Sequence, residues 1–129
     1  MRYLLDTVTL VRHFTSKGKI GHTASQILDA IEESDDFLFV SVVSLMEIMY
    51  LAEKNRIEIS LEETLSLMES SAKYSVIDLS TDILLVAETI DFYELHDRLI
   101  LATAKWLGVN IISSDNEFKK VEGIQVVWE

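Results

Sequence analysis

Short apolar runs alternate along this chain with segments in which apolar residues recur every three or four positions, and that alternation predicts strands and helices in turn. Residues 3–5 read as a buried strand, 7–14 as a helix opened by Asp6, and 16–21 as the loop behind it. Residues 23–33 carry Ile27, Ala30 and Ile31 at helical spacing, and the acidic Ser34-Asp35-Asp36 then leads into the apolar strand 37–40. Residues 43–54 predict a helix apolar almost all round, 61–71 an amphipathic helix, 75–77 a strand and 82–90 a helix. A long apolar helix over 96–107 stops at Gly108, and 110–112 and 125–127 supply the last strands.

Strands this short and apolar, separated by helices, pair in parallel and are covered on both faces, with right-handed crossovers. The expected fold is therefore a three-layer α/β/α sandwich around a central, mostly parallel sheet. There is no proline, there are only four glycines, and no repeat or low-complexity stretch marks a linker, so residues 1–129 are expected to form one domain. At 49% hydrophobic residues such a chain can bury a core without covalent staples.

With no cysteine, disulfides and thiolate metal sites are excluded, and any metal must be held by carboxylate, imidazole or amide groups, which favours a hard cation. The apolar run after Met1 meets Asp6 too soon for a signal peptide or a membrane span, and the expected location is the cytoplasm. A net charge of -11 opposes broad attraction to nucleic acid. Divalent ions in a carboxylate pocket would offset part of that charge.

Glu47 is the most informative residue, being the only side chain charged at neutral pH in the run from Val42 to Ala52. A carboxylate in such a helix loses several kcal/mol of hydration unless a cation, a donor or a proton compensates it. The ordinary alternative is a narrow polar stripe with Ser44 and Lys54. Asp97 opens another apolar helix, where an acid suits the helix dipole for purely local reasons. Asp6 and Asp115 each follow a strand and are able simply to cap the next turn. Together, four acids at strand ends or inside apolar helices repel one another unless a cation holds them, and the chemistry such a cluster supports is metal-assisted phosphodiester hydrolysis. His13, His22 and His96 form no metal-binding spacing, and none is expected to be a ligand.

Four segments carry a family resemblance: Tyr3-Leu4-Leu5-Asp6-Thr7, Ser41 to Ile48, Leu95 to Ala104, and Ile112-Ser113-Ser114-Asp115-Asn116-Glu117-Phe118. In order and spacing they resemble the PIN-domain family, and within it the VapC-type toxins of toxin–antitoxin pairs. The resemblance implies an endoribonuclease dependent on Mg²⁺ or Mn²⁺. It implies Asp6 and Asp97 as the most direct metal ligands, with Glu47 and Asp115 assisting through water or as outer partners, and it places Thr7 and Ser113 at hydroxyl positions beside them. It also implies a homodimer, silenced by an antitoxin whose basic segment enters the acidic site.

The basic residues nearest these acids in sequence, and so the expected phosphate contacts, are Arg12, Lys17, Lys19, Arg98, Lys119 and Lys120. Two rivals remain. A phosphoacceptor receiver domain needs adjacent acids after its first strand, and Asp6 has none. A catalytically weak or inactive fold of the same family, serving as an acidic interaction module, is compatible with the net charge and with Val8 after the Asp-Thr pair.

Overall fold

Side chains of a strand point alternately to opposite faces, and β1 (Arg2–Leu5) uses that alternation to serve two cores at once. Leu4 packs with Ile111 beneath two helices on one face, whereas Tyr3 and Leu5 pack with Leu38, Val40 and Ile112 on the other. Leu4 and Leu5 are both fully buried, and each such side chain contributes about 1.5–3 kcal/mol relative to exposure. The computed structural model describes residues 1–129.

The remaining strands are β2 (Phe37–Ser41), β3 (Tyr74–Ile77), β4 (Asn110–Ile112) and β5 (Val126–Val127), in the order β3-β2-β1-β4-β5. Every pairing is parallel, with Leu5 opposite Val40 on one side and Ile112 on the other. The helices are α1 (Thr7–Thr15), α2 (His22–Asp29), α3 (Val42–Glu53), α4 (Leu61–Glu69), α5 (Thr81–Glu88) and α6 (Leu95–Leu107), with a 3₁₀ turn at Asn116–Lys120. Ile83 and Ala87 of α5 and Leu99 to Ala104 of α6 cover one face. Leu10 of α1, Ala24 and Leu28 of α2 and Met68 of α4 cover the other. The three-layer α/β/α sandwich is thus as the sequence predicts, with a sheet that is entirely parallel.

Two expectations need correction. The helix predicted over 23–33 ends at Asp29, because the backbone tightens into turns in which Ile31 N donates to the Leu28 carbonyl at 3.3 Å and Glu33 N to the Ala30 carbonyl at 3.1 Å. Nor is α3 buried all round. It stands across the end of the sheet, giving Val43 to one core and Leu45 and Ile48 to the other, while Met46, Met49 and Tyr50 remain 42%, 41% and 56% exposed.

Glycine is required at two element ends for different reasons. Gly108 ends α6 in the left-handed region at φ 69°, with open space around it, so backbone conformation selects it. Gly21 has an ordinary φ, but a Cβ there would lie 2.3 Å from the Trp128 carbonyl oxygen, which accepts from Ala24 N at 3.0 Å. That contact ties the segment after β5 to α2. No helix is long and apolar enough to cross a membrane.

Candidate functional site

The sheet order places β2 on one side of β1 and β4 on the other, and in such sheets the ligand crevice lies beyond the carboxyl ends at that divergence. Asp6 follows β1, Ser113 and Asp115 follow β4, and Glu47 lies in the second turn of the helix that follows β2. Asp97 arrives from the first turn of α6.

Asp6 is 7% exposed and caps α1. One carboxylate oxygen accepts from Thr9 N at 2.9 Å and the other from the Ser113 hydroxyl at 2.5 Å. The Ser113 oxygen in turn accepts from Asp115 N at 3.0 Å, and Asp115 Oδ1 accepts from Glu117 N at 2.9 Å. The ends of β1 and β4 are therefore joined by one continuous chain of hydrogen bonds. Capping, the ordinary reading of Asp6 and Asp115, is correct for both, and it fixes their carboxylates at the crevice.

Glu47 is met by one neutral donor, the Thr7 hydroxyl, and by no lysine or arginine. Thr7 Oγ1 lies 2.5 Å from Glu47 Oε1 and 2.9 Å from the Oγ of Ser44, which is fully buried. Thr7 has one hydroxyl proton, which belongs on the bond to the charged partner, leaving Ser44 to donate to Thr7. His96 Nδ1 stands 3.6 Å from Glu47 Oε2 and 3.7 Å from Glu94 Oε1.

Asp97 is not used as a cap, because Glu94 occupies that position and accepts from His96 N at 2.6 Å and Asp97 N at 3.2 Å. Its carboxyl is free, and it is pushed up to about 6, first by burial and then by the negative fields of Glu94, Glu47, Asp115 and Asp6. Asp6 is also raised, by burial above all and by Asp115, against the opposing hydrogen bonds from Ser113 and Thr9. The fold therefore brings all four sequence-derived acids into one electrostatic neighbourhood. No lysine or arginine forms an ion pair with any of them, and His96 is the nearest basic group. An all-oxygen cluster short of positive charge suits Mg²⁺ or Mn²⁺.

Glu94 is an addition to the sequence reading, and His96, expected to be no ligand, is a correction to it: the two stand with Glu47 as a group that could hold a metal ion, one that includes none of Asp6, Asp97 and Asp115. Their ligating atoms and those of Glu47 lie within 4.8 Å of one another. Glu94 escapes sequence rules because helix caps favour shorter side chains, and His96 because its partners are remote in the chain or belong to the cap.

Three of the six basic residues near the acids in sequence are engaged in contacts of their own. Arg12 donates to the Lys19 carbonyl at 2.9 Å, Lys17 pairs with Glu58, and Lys120 pairs with Glu117 at 3.1 Å. Lys19 and Lys119 are exposed and form no ion pair. Arg98 turns toward α5, lining a hollow with Leu84 and Leu85, and its Nε is buried without a partner.

Two hollows meet at the acids. A cleft of about 880 Å³ is lined by Asp97 and Glu94 together with Phe92, Tyr93, Lys105 and Lys120. A trough of about 460 Å³ is lined by Glu47 and His96 together with Met46, Met49, Tyr50 and Leu51.

Residues 3–124 match the family profile described as PIN domain. Solved structures give the same answer at the level of fold. A chain of the VapBC2 complex from Rickettsia felis, bound to a DNA fragment from its promoter, superposes with a TM-score of 0.75 at 17% identity, over 100% of both chains. A chain of the DNA-bound VapBC complex from Salmonella typhimurium gives 0.71 at 20% identity, covering 98% of this chain and 97% of that one. A toxin–antitoxin complex from Klebsiella pneumoniae gives 0.64 at 25% identity, covering 97% and 95%. Comparison with functionally curated proteins gives no match.

Proposed function

The chain belongs to the PIN-domain family, and from that membership and the converging carboxylates we propose that it is a metal-dependent endoribonuclease, the toxin of a toxin–antitoxin pair. The observation that carries the reading is Asp97: a carboxyl raised to about 6, first by burial and then by four acidic neighbours, none of which is paired with a lysine or arginine. Such a site is stable at neutral pH when a divalent cation occupies it.

Asp6 and Asp97 would hold Mg²⁺ or Mn²⁺ directly, with Glu47 and Asp115 acting as outer partners. The bound ion supplies Lewis-acid neutralisation of the phosphodiester. The chain's own part is preorganisation. Ser113 and the Thr9 amide fix both oxygens of Asp6, Thr7 fixes Glu47, and the Glu117 amide fixes Asp115, so the acids need not reorient when substrate arrives. Residues 1–129 act as one domain in this reading, in the cytoplasm.

The resemblance to chains of toxin–antitoxin complexes supports an antitoxin as partner, and a net charge of -11 suits one whose inserted segment is basic. The active toxin is a homodimer in this proposal. The six basic residues named from the sequence, Arg12, Lys17, Lys19, Arg98, Lys119 and Lys120, are the proposed phosphate contacts, and Lys120 lines the same cleft as Asp97.

The test is to incubate purified, antitoxin-free protein with total cellular RNA in Mg²⁺, Mn²⁺ or chelator, beside Asp97→Asn, and to map the new RNA ends. Discrete metal-dependent cuts that vanish in the variant support the nuclease. Folded protein that makes no cuts with either metal supports the interaction module instead.

A further inference from the structure

Three side-chain atoms that form no hydrogen bond converge beside the first turn of α6: Glu47 Oε2, Glu94 Oε1 and His96 Nδ1. They lie within 4.8 Å of one another. His96 Nδ1 stands 3.6 Å from the Glu47 oxygen and 3.7 Å from the Glu94 oxygen, too far for a hydrogen bond to either. Each carboxylate is oriented through its other oxygen. Thr7 donates to Glu47 Oε1 at 2.5 Å, and the amides of His96 and Asp97 donate to Glu94 Oε2 at 2.6 and 3.2 Å. A side chain held by one atom, with the second left open, is a ligand set in place before its ion arrives.

Two atoms each about 2.0–2.2 Å from a tetrahedral ion stand about 3.3–3.6 Å apart. His96 Nδ1 is already near that separation from both carboxylates, and Glu94, on an exposed side chain, closes the remaining side. The donor set is two carboxylates and an imidazole, unlike the all-oxygen set of Asp6 and Asp97. Imidazole suits zinc and its neighbours in the first transition row, whereas Mg²⁺ prefers oxygen. No lysine or arginine pairs with Glu47 or Glu94, so neither charge is neutralised within the chain. We propose that Glu47, Glu94 and His96 form a second metal site, for a transition-metal ion such as Zn²⁺, distinct from the hard-ion site on Asp6 and Asp97.

The ordinary account of these three residues is an ion pair between a protonated His96 and two acids. It leaves the spacing unexplained, since a charge-assisted hydrogen bond closes to about 2.7–2.9 Å. Three protein ligands leave a fourth position open, as zinc sites that exchange or activate a small ligand do and closed structural sites do not. Glu47 is common to both metal sites, with Oε1 held by Thr7 and Oε2 facing His96, so an ion on one side of it alters the ligand available to the other. The site stands on geometry and donor chemistry, and it goes beyond the nuclease reading without depending on it.

The experiment uses the full chain, stripped of metal with chelator and returned to excess Mg²⁺, which fills the oxygen site. Zn²⁺ is titrated calorimetrically, and Co²⁺, its spectroscopic stand-in, is followed by proton NMR. Native protein is expected to bind one Zn²⁺ over that Mg²⁺ and to show far-shifted imidazole protons with Co²⁺. His96→Gln and Glu94→Gln should each weaken Zn²⁺ binding by at least about 100-fold, the upper end of what losing an outer partner costs, and His96→Gln should erase the shifted signals. Asp97→Asn, which alters the oxygen site, should keep both the Zn²⁺ site and those signals. His96 and Glu94 are 44% and 48% exposed, glutamine keeps an acceptor at the cap, and melting by circular dichroism controls for folding. Zn²⁺ affinity unmoved by His96→Gln, or shifted signals that vanish in Asp97→Asn alone, would put the ion elsewhere and overturn the proposal. So would native protein that binds no Zn²⁺ over Mg²⁺. No RNA enters the assay: a flat titration leaves the nuclease reading standing, and RNA left uncut in Mg²⁺ leaves the zinc site standing.

Discussion

Replacing Asp97 with asparagine should stabilise the cation-free protein even as it removes activity. The carboxyl is raised from 3.8 to about 6 because the folded state buries it among like charges. That displacement corresponds to about 3 kcal/mol against the ionised form. Asp97 remains partly exposed, and solvent screening reduces the figure to about 1–2 kcal/mol. The sign follows from proton counting. Between about pH 4 and 6 the unfolded chain has lost this proton while the folded chain keeps it, so stability contributed by this group falls as pH rises through that window and is level above it. At pH 8 in chelator, Asp97→Asn should therefore melt about 4–8 °C above the native protein. Near pH 3 the difference should close, because the Asp97 carboxyl is then protonated in both states. Adding Mn²⁺ at pH 8 should reverse the order, since only the native protein gains the binding term. Scanning calorimetry at the two pH values, with and without metal, checks all three statements. Equal or lower stability of the variant at pH 8 in chelator would show that the cluster does not strain the fold.

Gly21→Ala should destabilise by about 1–3 kcal/mol, roughly 4–12 °C in Tm, because the added Cβ meets the Trp128 carbonyl at 2.3 Å; a native Tm would mean that the C-terminal segment yields freely. Ser113→Ala removes the hydroxyl from the buried Asp6 carboxylate and should cost about 1–3 kcal/mol at pH 8, read by urea denaturation against native protein. Thr7→Val leaves Glu47 without its hydroxyl donor and should weaken Mn²⁺ binding about 10–100-fold by calorimetric titration; unchanged affinity would remove Glu47 from the metal's surroundings.

The layered fold was legible because its signals are local. Leu4 and Leu5 sit in a run too short and apolar for anything but a strand covered on both faces, and Gly108 ends α6 where the apolar periodicity stops. The four candidate acids were legible for a related reason: each interrupts an apolar run or follows one, although the structure buries Asp6 and leaves Glu47, Asp97 and Asp115 partly exposed. What sequence could not supply depends on contacts across the sheet. Glu47 finds its donor in Thr7, forty residues away, which reaches it only because α1 and α3 pack together. The exposed flank of α3 is the other case. Apolar residues at helical spacing announce burial, but Met46, Met49 and Tyr50 lie beyond the end of the sheet, where no further layer exists to receive them. An apolar face that folding leaves uncovered carries the same periodicity as one that the core receives, and that is why its exposure was invisible until the helix had been placed.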